Sequence, residues 1–184
     1  MKPGLLIIDM QNDLIYHEKR QARFSKIISP LKELINCAHS HNIPIFYTKF
    51  ALDPHDAQFK KFGEIYCVKG TSGCDIIDEL KPLHGPVIEK QKNSAFFGTP
   101  LDRMLKQKNV DTLVLCGVQT QICIMTTAAD ASFREYKVLV VEDCVESTRE
   151  DKKNWALQWI KEYAGNVLSL SAILSLLKEE QPEG

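Results

Sequence analysis

The 184-residue sequence lacks several features that would assign it to a particular class of protein. No apolar run approaches the ~20 residues of a membrane-spanning helix, and there is no internal repeat, linker or low-complexity tract. The net charge of −1 gives no electrostatic reason to expect binding to nucleic acid or to a membrane. The first residues, Met1 to Gly4, are not the apolar stretch of a signal peptide. We therefore expect one globular, cytoplasmic domain over residues 1–184.

The sequence also lacks the motifs of the common cofactor and metal sites. Its first apolar run is not followed by a G-x-G-x-x-G turn, and no G-x-x-x-x-G-K-[ST] loop occurs, so the phosphate-binding loops of dinucleotide and P-loop proteins are missing. The six cysteines form no C-x-x-C pair and no tight cluster with histidine, which argues against structural zinc. Without an export signal we expect reduced cysteines, with Cys37, Cys116 and Cys144 in the core.

Short apolar runs alternate along the chain with stretches of helical spacing. Strands are predicted at residues 5–9, 43–48, 87–90, 112–116, 136–142 and 167–170, and helices at 25–41, 76–80, 99–108, 122–135 and 151–163, with a last helix capped by Ser171. The alternation predicts an α/β fold whose parallel sheet is covered by helices on both faces. Residues 50–73 show no period, and their aromatic residues Phe59, Phe62 and Tyr66 favour an ordered, functional loop.

Three chemically reactive side chains fall at the carboxyl ends of predicted strands. Asp9 ends the first strand, Lys90 ends the third, and Cys123 follows the fourth after a turn at Gly117. Ligands of parallel α/β sheets bind at that edge, so we expect the acid, the base and the thiol to meet there. Taken singly, each residue has an ordinary alternative: a turn carboxylate, a solvated lysine and a core thiol.

Cys123 is predicted to lie in the first turn of the helix that follows the fourth strand. A helix N-terminus carries partial positive charge and unpaired N–H groups, so we expect it to lower the pKa of the thiol and favour the thiolate. The same N–H groups are able to bind an oxyanion. The pattern therefore predicts a nucleophile for acyl chemistry at this turn.

Three sequence blocks resemble the isochorismatase-like cysteine hydrolase family, which includes nicotinamidases and N-carbamoylsarcosine amidohydrolase. They occur in order at residues 6–13 (LIIDMQND), 90–99 (KQKNSAFFGT) and 117–123 (GVQTQIC), with Asp130-Ala131 and residues 140–143 as further matches. The resemblance extends from Leu5 to about Ser147. It implies the isochorismatase-like, Rossmann-like α/β fold of that family, with three α-β-α layers and a six-stranded parallel sheet. It also implies a homo-oligomer, either a dimer or a tetramer.

The resemblance assigns roles to the reactive residues. It implies a catalytic triad of Asp9, Lys90 and Cys123, and a cis peptide bond between Val118 and Gln119. The backbone N–H groups of Gln119 and Cys123 would then form an oxyanion hole. Cys123 would attack an amide carbon, Asp9 would pass the thiol proton to the leaving amine, and Lys90 would hold both by its charge. Isochorismatases proper cleave a vinyl ether without a thiol, so the presence of Cys123 favours acyl chemistry.

One departure from the family concerns a metal site. Metal-dependent nicotinamidases carry an Asp-x-His after the second strand and a further histidine before a Cys-Val-x-Gly-Thr-x-Gly segment. This chain has Asp53-Pro-His55, but Tyr66 stands where the last histidine is expected. One carboxylate and one imidazole make an incomplete divalent site, and an Asp-Pro turn beside a histidine is the ordinary alternative. We expect that no metal or other cofactor is required.

Candidates for the substrate pocket come from residues within and between these blocks. They are Gln11, Leu14, Phe59, Phe62, Tyr66, Phe96 and Phe97, with Gln119 and Gln121 as further polar positions. The leading hypothesis is a cysteine amidohydrolase of a small amide, ureido or lactam-like compound. Two alternatives stay open: a metal-assisted relative of the nicotinamidases, and a catalytically silent oligomeric binding protein on the same fold.

Overall fold

A parallel sheet forms the centre of the fold in the computed structural model, which describes residues 1–55, 66–82 and 84–179. Its strands are β1 Pro3–Ile8, β2 Ile45–Phe50, β3 Val87–Lys90, β4 Thr112–Val118, β5 Lys137–Glu146 and β6 Asn166–Leu168. They form one six-stranded sheet in the order β3-β2-β1-β4-β5-β6, and every neighbouring pair is parallel. The predicted α/β fold with a six-stranded parallel sheet is confirmed.

Helices connect these strands. In chain order they are α1 Asn12–Ile15, α2 Gln21–Phe24, α3 Ile28–Ser40, α4 Leu101–Gln107, α5 Met125–Phe133, α6 Glu150–Tyr163 and α7 Leu170–Glu179. Short 3-10 turns cover Ser25–Ile27, Ser72–Cys74 and Asp78–Leu80, and a π-helical turn covers Thr120–Ile124. Among the helices in the described ranges, none combines the length and the apolar composition that crossing a membrane requires.

Alternating strand residues face two separate hydrophobic layers, which explains why the strand sequences are continuously apolar. Leu5 and Ile7 of β1 join a cluster with residues of α3 and α7. Leu6 and Ile8 join a second cluster with residues of α4, α5 and α6. All four side chains are at most 1% exposed. The sheet is therefore the middle one of three layers, with one half of the core on each side.

Two strands and the last helix have boundaries that differ from the predicted ones. Hydrogen bonds between neighbouring strands and from a capping side chain set these boundaries. β4 and β5 run to Val118 and Glu146, beyond the predicted residues 116 and 142, since the two strands continue to pair there. The last helix is capped by Ser169 and not by Ser171. The Ser169 hydroxyl accepts the backbone N–H of Ala172 at 3.3 Å, and Ser171 lies inside α7.

The sheet order brings the reactive residues to one place. β1 and β4 are neighbours at its centre, and the chain order runs outward from them through β2 and β3 on one side and β5 and β6 on the other. Asp9 follows β1 directly, Lys90 is the last residue of β3, and Cys123 lies in the turn after β4. All three are at the carboxyl edge, where the strand order reverses and ligands of such sheets bind.

Gly117 allows β4 to pass close to β1 on its way to this edge. Its φ is +111°, and a Cβ atom at this position would overlap the carbonyl oxygen of Ile8. Relief of such an overlap requires movement of the backbone in one of the two central strands. The position therefore requires glycine for both its conformation and its space.

We expect Gly117→Ala to lower the free energy of unfolding by more than about 3 kcal/mol, because backbone strain of about 1–3 kcal/mol adds to the overlap with β1. Gly70→Ala is the matched control. Gly70 also has a positive φ, +84°, but a Cβ atom there would meet no described atom within 4 Å. Urea unfolding of both variants measures the difference. Equal losses would mean that φ alone, and not the approach to β1, requires glycine.

Candidate active site

Asp9 leaves β1 in a left-handed backbone conformation, with φ of 54°, which aspartate adopts more readily than most residues. Thr48 of β2 holds it at two points. The backbone N–H of Asp9 donates to the Thr48 carbonyl at 3.1 Å, and the Thr48 hydroxyl donates to Oδ1 of Asp9 at 2.8 Å. Both residues are buried. The carboxylate is thereby fixed with its second oxygen, Oδ2, 2.7 Å from the ammonium of Lys90.

Lys90 brings a buried positive charge to the same point. Its Nζ lies 2.7 Å from Oδ2 of Asp9 and donates to Sγ of Cys123 at 3.4 Å. It also donates to the carbonyl oxygens of Lys92 at 3.2 Å and Asn93 at 3.3 Å. The ammonium group therefore lies among acceptors from three separate parts of the chain, and it links the carboxylate to the thiol.

Lys90 stays charged in spite of its burial. Burial on its own lowers the pKa of Lys90, but its interactions with Asp9 and Cys123 more than offset this, and the pKa is raised. The ring centre of Phe50, 4.9 Å from Nζ, adds a cation–π contact. Removing one member of a buried ion pair leaves the other charge uncompensated, at roughly 3–5 kcal/mol. Asp9 and Lys90 thus depend on each other for their stability.

Cys123 lies in the π-helical turn that precedes α5, and here the expectation of a lowered pKa is contradicted. Burial, followed by the negative charge of Asp9, raises the pKa of the Cys123 thiol to about 12, and Lys90 opposes this only in part. A helix terminus contributes only about 0.3–1 kcal/mol, which is small beside the penalty of burying a thiolate. The thiol is therefore protonated at neutral pH, and its proton must be removed when it reacts.

The peptide bond between Val118 and Gln119 is cis. It joins the end of β4 to the turn that carries Cys123. Gln119 lines the cavity at the thiol. Its side-chain Oε1 accepts a hydrogen bond from Nε2 of Gln121 at 3.0 Å. Of the two polar positions in the sequence, Gln119 thus borders the cavity at Cys123, and Gln121 lines the adjoining cavity.

A narrow cavity of about 50 Å³ reaches the Cys123 thiol. A wider cavity of about 310 Å³ shares the side chains of Phe50, Tyr66, Asn93 and Ile122 with it, so the two adjoin. The rings of Phe50 and Tyr66 face each other across 6.5 Å. The arrangement has room for a small molecule whose reacting group enters the narrow part, while a largely apolar remainder occupies the wider part.

The structure places the predicted pocket residues in different surroundings. Leu14 and Tyr66 line the cavity at the thiol. Phe97 is 64% exposed and lines a separate surface depression. Phe59 and Phe62 lie outside the described residues. Leu14 and Tyr66 therefore lie at the cavity by the thiol, and Phe97 lines a different depression.

The prediction that Gln11 and Phe96 line the pocket is wrong. Gln11 is fully buried, its Nε2 donates to the carbonyls of Phe50 and Cys74, and its Oε1 accepts the N–H of Phe50, each at 2.8 Å. It fixes the backbone that carries the Phe50 ring. Phe96 is 4% exposed and stacks on Tyr136 in the second core cluster. Gln11 is therefore held in the interior by hydrogen bonds. Phe96 is held there by packing, and neither side chain lines the cavity at the thiol.

Sequence reasoning missed Thr48, Phe50, Asn93 and Ile122. The rule that ligands bind at strand ends would have found Phe50, the last residue of β2. Thr48 lies within the same strand, and only the register of β2 against β1 places it beside Asp9. Asn93 and Ile122 carry no pattern of their own. Their place in the cavity wall depends on irregular turns that periodicity does not describe.

The two candidate metal ligands form a turn. Oδ1 of Asp53 accepts the backbone N–H of His55 at 2.8 Å, and both residues are exposed. Within residues 1–55, 66–82 and 84–179, no group of three or more His, Cys, Asp or Glu side chains is arranged to hold a metal ion. In the described part of the chain, this pair therefore forms the turn that an Asp-Pro sequence favours.

Comparisons with known proteins agree with the fold. Residues 3–172 match the family described as Isochorismatase domain. The fold is similar to an isochorismatase-like hydrolase from Alkaliphilus metalliredigens, with a TM-score of 0.88, 30% identity, and coverage of 96% of this chain and 99% of that one. It is also similar to N-carbamoylsarcosine amidase from Thermoplasma acidophilum, with a TM-score of 0.84, 32% identity and 100% coverage of both chains.

A longer relative is similar in sequence. The chain is 26% identical over 178 residues to Enterobactin synthase component B of Escherichia coli (strain K12), and the match covers 94% of this chain. The chain spans only 62% of the length of that relative.

We expect Cys123 to react slowly with iodoacetamide at neutral pH, and its rate to keep rising beyond about pH 10, because only the thiolate reacts and the pKa of this thiol is raised to about 12. Mass spectrometry of the Cys123 peptide across a pH series measures the rate. The urea-unfolded protein is the control, with a midpoint near the ordinary value of about 8.5. A plateau below about pH 8 in the folded protein would show a resting thiolate instead.

Proposed function

Because the chain belongs to the isochorismatase family, we propose that it is a hydrolase of amide-type C–N bonds in small molecules, with Cys123 as its nucleophile. One observation carries the proposal: a single buried ammonium contacts a carboxylate and a thiol, with Lys90 Nζ 2.7 Å from Asp9 Oδ2 and 3.4 Å from Cys123 Sγ. Burial of such groups costs free energy that a merely structural core would avoid. The similarity to an N-carbamoylsarcosine amidase supports an amide-type bond.

The first half of the reaction forms a thioester. Asp9 takes the proton from the Cys123 thiol as Sγ attacks the carbonyl carbon, and the ammonium of Lys90 compensates the negative charge on sulfur. Protonated Asp9 then gives the same proton to the leaving nitrogen, the C–N bond breaks, and ammonia or an amine departs. Such acid–base assistance contributes about 10²–10⁴-fold to the rate.

The negative charge that develops on the carbonyl oxygen needs hydrogen-bond donors. We assign this role to the backbone N–H groups of Gln119 and Cys123, since both residues line the narrow cavity. Donors fixed in this way need no reorganisation during the reaction, and the loss of one donor costs roughly 10²–10³-fold in rate.

The second half of the reaction restores the thiol. Water attacks the thioester carbon while Asp9 accepts one of its protons, and the C–S bond breaks. The departing sulfur recovers the proton from Asp9, and the acid product leaves. Lys90 keeps its proton throughout, in accord with its raised pKa, and acts by its charge alone.

We expect Cys123→Ala to abolish ammonia release from amides that the wild type hydrolyses, because Cys123 supplies the only thiol among the described residues that line the narrow cavity. The measurement is ammonia release from a panel of small primary amides and ureido compounds. Cys37→Ala removes a thiol of α3, on a different element, and is the matched control. Turnover by Cys123→Ala at the wild-type rate would exclude the thioester mechanism. A wild type inactive on every amide would exclude the amide-type substrate.

We expect the same ammonia release to be unchanged after treatment with a chelator, since the described donors do not form a metal site. Asp53→Ala should likewise keep the wild-type rate, because its exposed carboxylate caps a turn at His55. A loss of activity on chelation that added zinc or iron restores would overturn this expectation and would favour a metal-assisted reaction.

A further inference from the structure

The position of the Lys90 ammonium depends on a short irregular stretch of chain. Residues 91–95, termed the lysine segment, follow β3 without helix or strand structure. The carbonyl oxygens of Lys92 and Asn93 in this segment accept hydrogen bonds from Nζ of Lys90, at 3.2 and 3.3 Å. The side chain of Asn93 also lines both cavities. A shift of this backbone would therefore displace two acceptors of the ammonium and one wall of the pocket.

Two side chains of α5 hold the lysine segment in place. Oγ1 of Thr127, which is fully buried, accepts the backbone N–H of Ala95 at 3.0 Å. One turn further along α5, Oδ2 of Asp130 accepts the hydroxyl of Ser94 at 2.5 Å. Residues at this spacing lie on the same face of a helix, so both contacts come from one side of α5.

α5 is also the helix that follows the turn of Cys123. The helix thus continues directly from the turn that carries Cys123 and binds the lysine segment along its side. Oδ1 of Asp130 accepts a hydrogen bond from Nη1 of Arg134 at 2.7 Å, so the ion pair and the Ser94 contact use different oxygens of the carboxylate. Asp130 can therefore hold Ser94 whether or not the ion pair is present.

We propose that Asp130 is a positioning residue of the active site: through Ser94 it joins the lysine segment to the nucleophile helix and so fixes Lys90 Nζ relative to Cys123 Sγ. The inference rests on the proposed function, in which the charge of Lys90 compensates the sulfur during attack. Asp130 belongs to one of the sequence matches to the family, and neither the fold nor the mechanism above uses it.

A double-mutant cycle tests the contact. We expect Ser94→Ala and Asp130→Ala each to lower kcat, by up to about 10²-fold, the loss that a displacement of about 1 Å at a reacting group produces. The double variant should be no slower than the slower single variant, because both changes remove the same contact. Asp130→Asn keeps an oxygen that accepts the Ser94 hydroxyl and should restore most of kcat.

A second readout needs no substrate. The charge of Lys90 opposes the raised pKa of Cys123, while Asp9 and burial favour it, so displacement of Lys90 should shift the iodoacetamide rate profile of Cys123 to higher pH in Asp130→Ala. A residue that only stabilises the fold would lower the urea midpoint and leave that profile unchanged. Arg134→Gln removes the ion pair but keeps the Ser94 contact, and we expect it to retain the wild-type profile.

Two results would overturn the proposal. One is a wild-type kcat and alkylation profile in both Ser94→Ala and Asp130→Ala, with unfolding curves that show folded protein. The other is a double variant whose loss equals the product of the two single losses, which would mean independent sites. If the wild type hydrolyses no amide, the proposed function fails, and the alkylation profiles alone then decide whether Asp130 positions Lys90.

Discussion

The ammonium group of Lys90 lies inside the protein, where a charge is stable only if it is paired and hydrogen-bonded. Asp9 and Cys123 meet this need together with two carbonyls of the chain beyond β3. Because the ammonium needs these partners, the ends of β1 and β3 and the turn after β4 must meet at Nζ of Lys90. Thr48 extends the dependence outward, since it holds the carboxylate that the ammonium requires. Gln11 extends it further, since it holds the strand end whose ring covers the ammonium.

The same low-polarity surroundings decide the chemistry of the sulfur. A surface thiol at a helix start would be pushed towards the thiolate, but burial and the nearby carboxylate reverse that tendency at Cys123. The charged groups are instead Asp9 and Lys90, which form an ion pair. Under the proposed mechanism, negative charge develops on the sulfur only during attack, when Asp9 takes the thiol proton. A carboxylate is a weak base towards such a thiol, so the proton transfer must accompany bond formation to carbon.

The parts of this structure that follow from sequence pattern were predictable, and the parts that follow from tertiary contact were not. Continuous apolar runs fix a parallel sheet, and strand ends place Asp9, Lys90 and Cys123 at one edge, where the structure has them in contact. The family resemblance is confirmed by the match over residues 3–172. Gln11 follows the first strand just as Asp9 does, yet it faces inward, because the end of β2 offers it buried hydrogen-bond partners that no local pattern reveals. The pKa of the thiol was mispredicted for a related reason: a sequence shows the helix start but not the depth of burial.

The neutral state of Cys123 also bears on how long the protein lasts under oxidative stress. Peroxides attack thiolates far faster than thiols and convert them to sulfenic acid and then, irreversibly, to sulfinic and sulfonic acids. A thiol whose pKa is raised to about 12 presents very little thiolate at neutral pH. Redox-sensing cysteines have the opposite design, with a lowered pKa that invites oxidation. The partly buried thiol of this protein is therefore protected from peroxide by its weak acidity. Under the proposed mechanism, it reacts only with a molecule that fits the cavity.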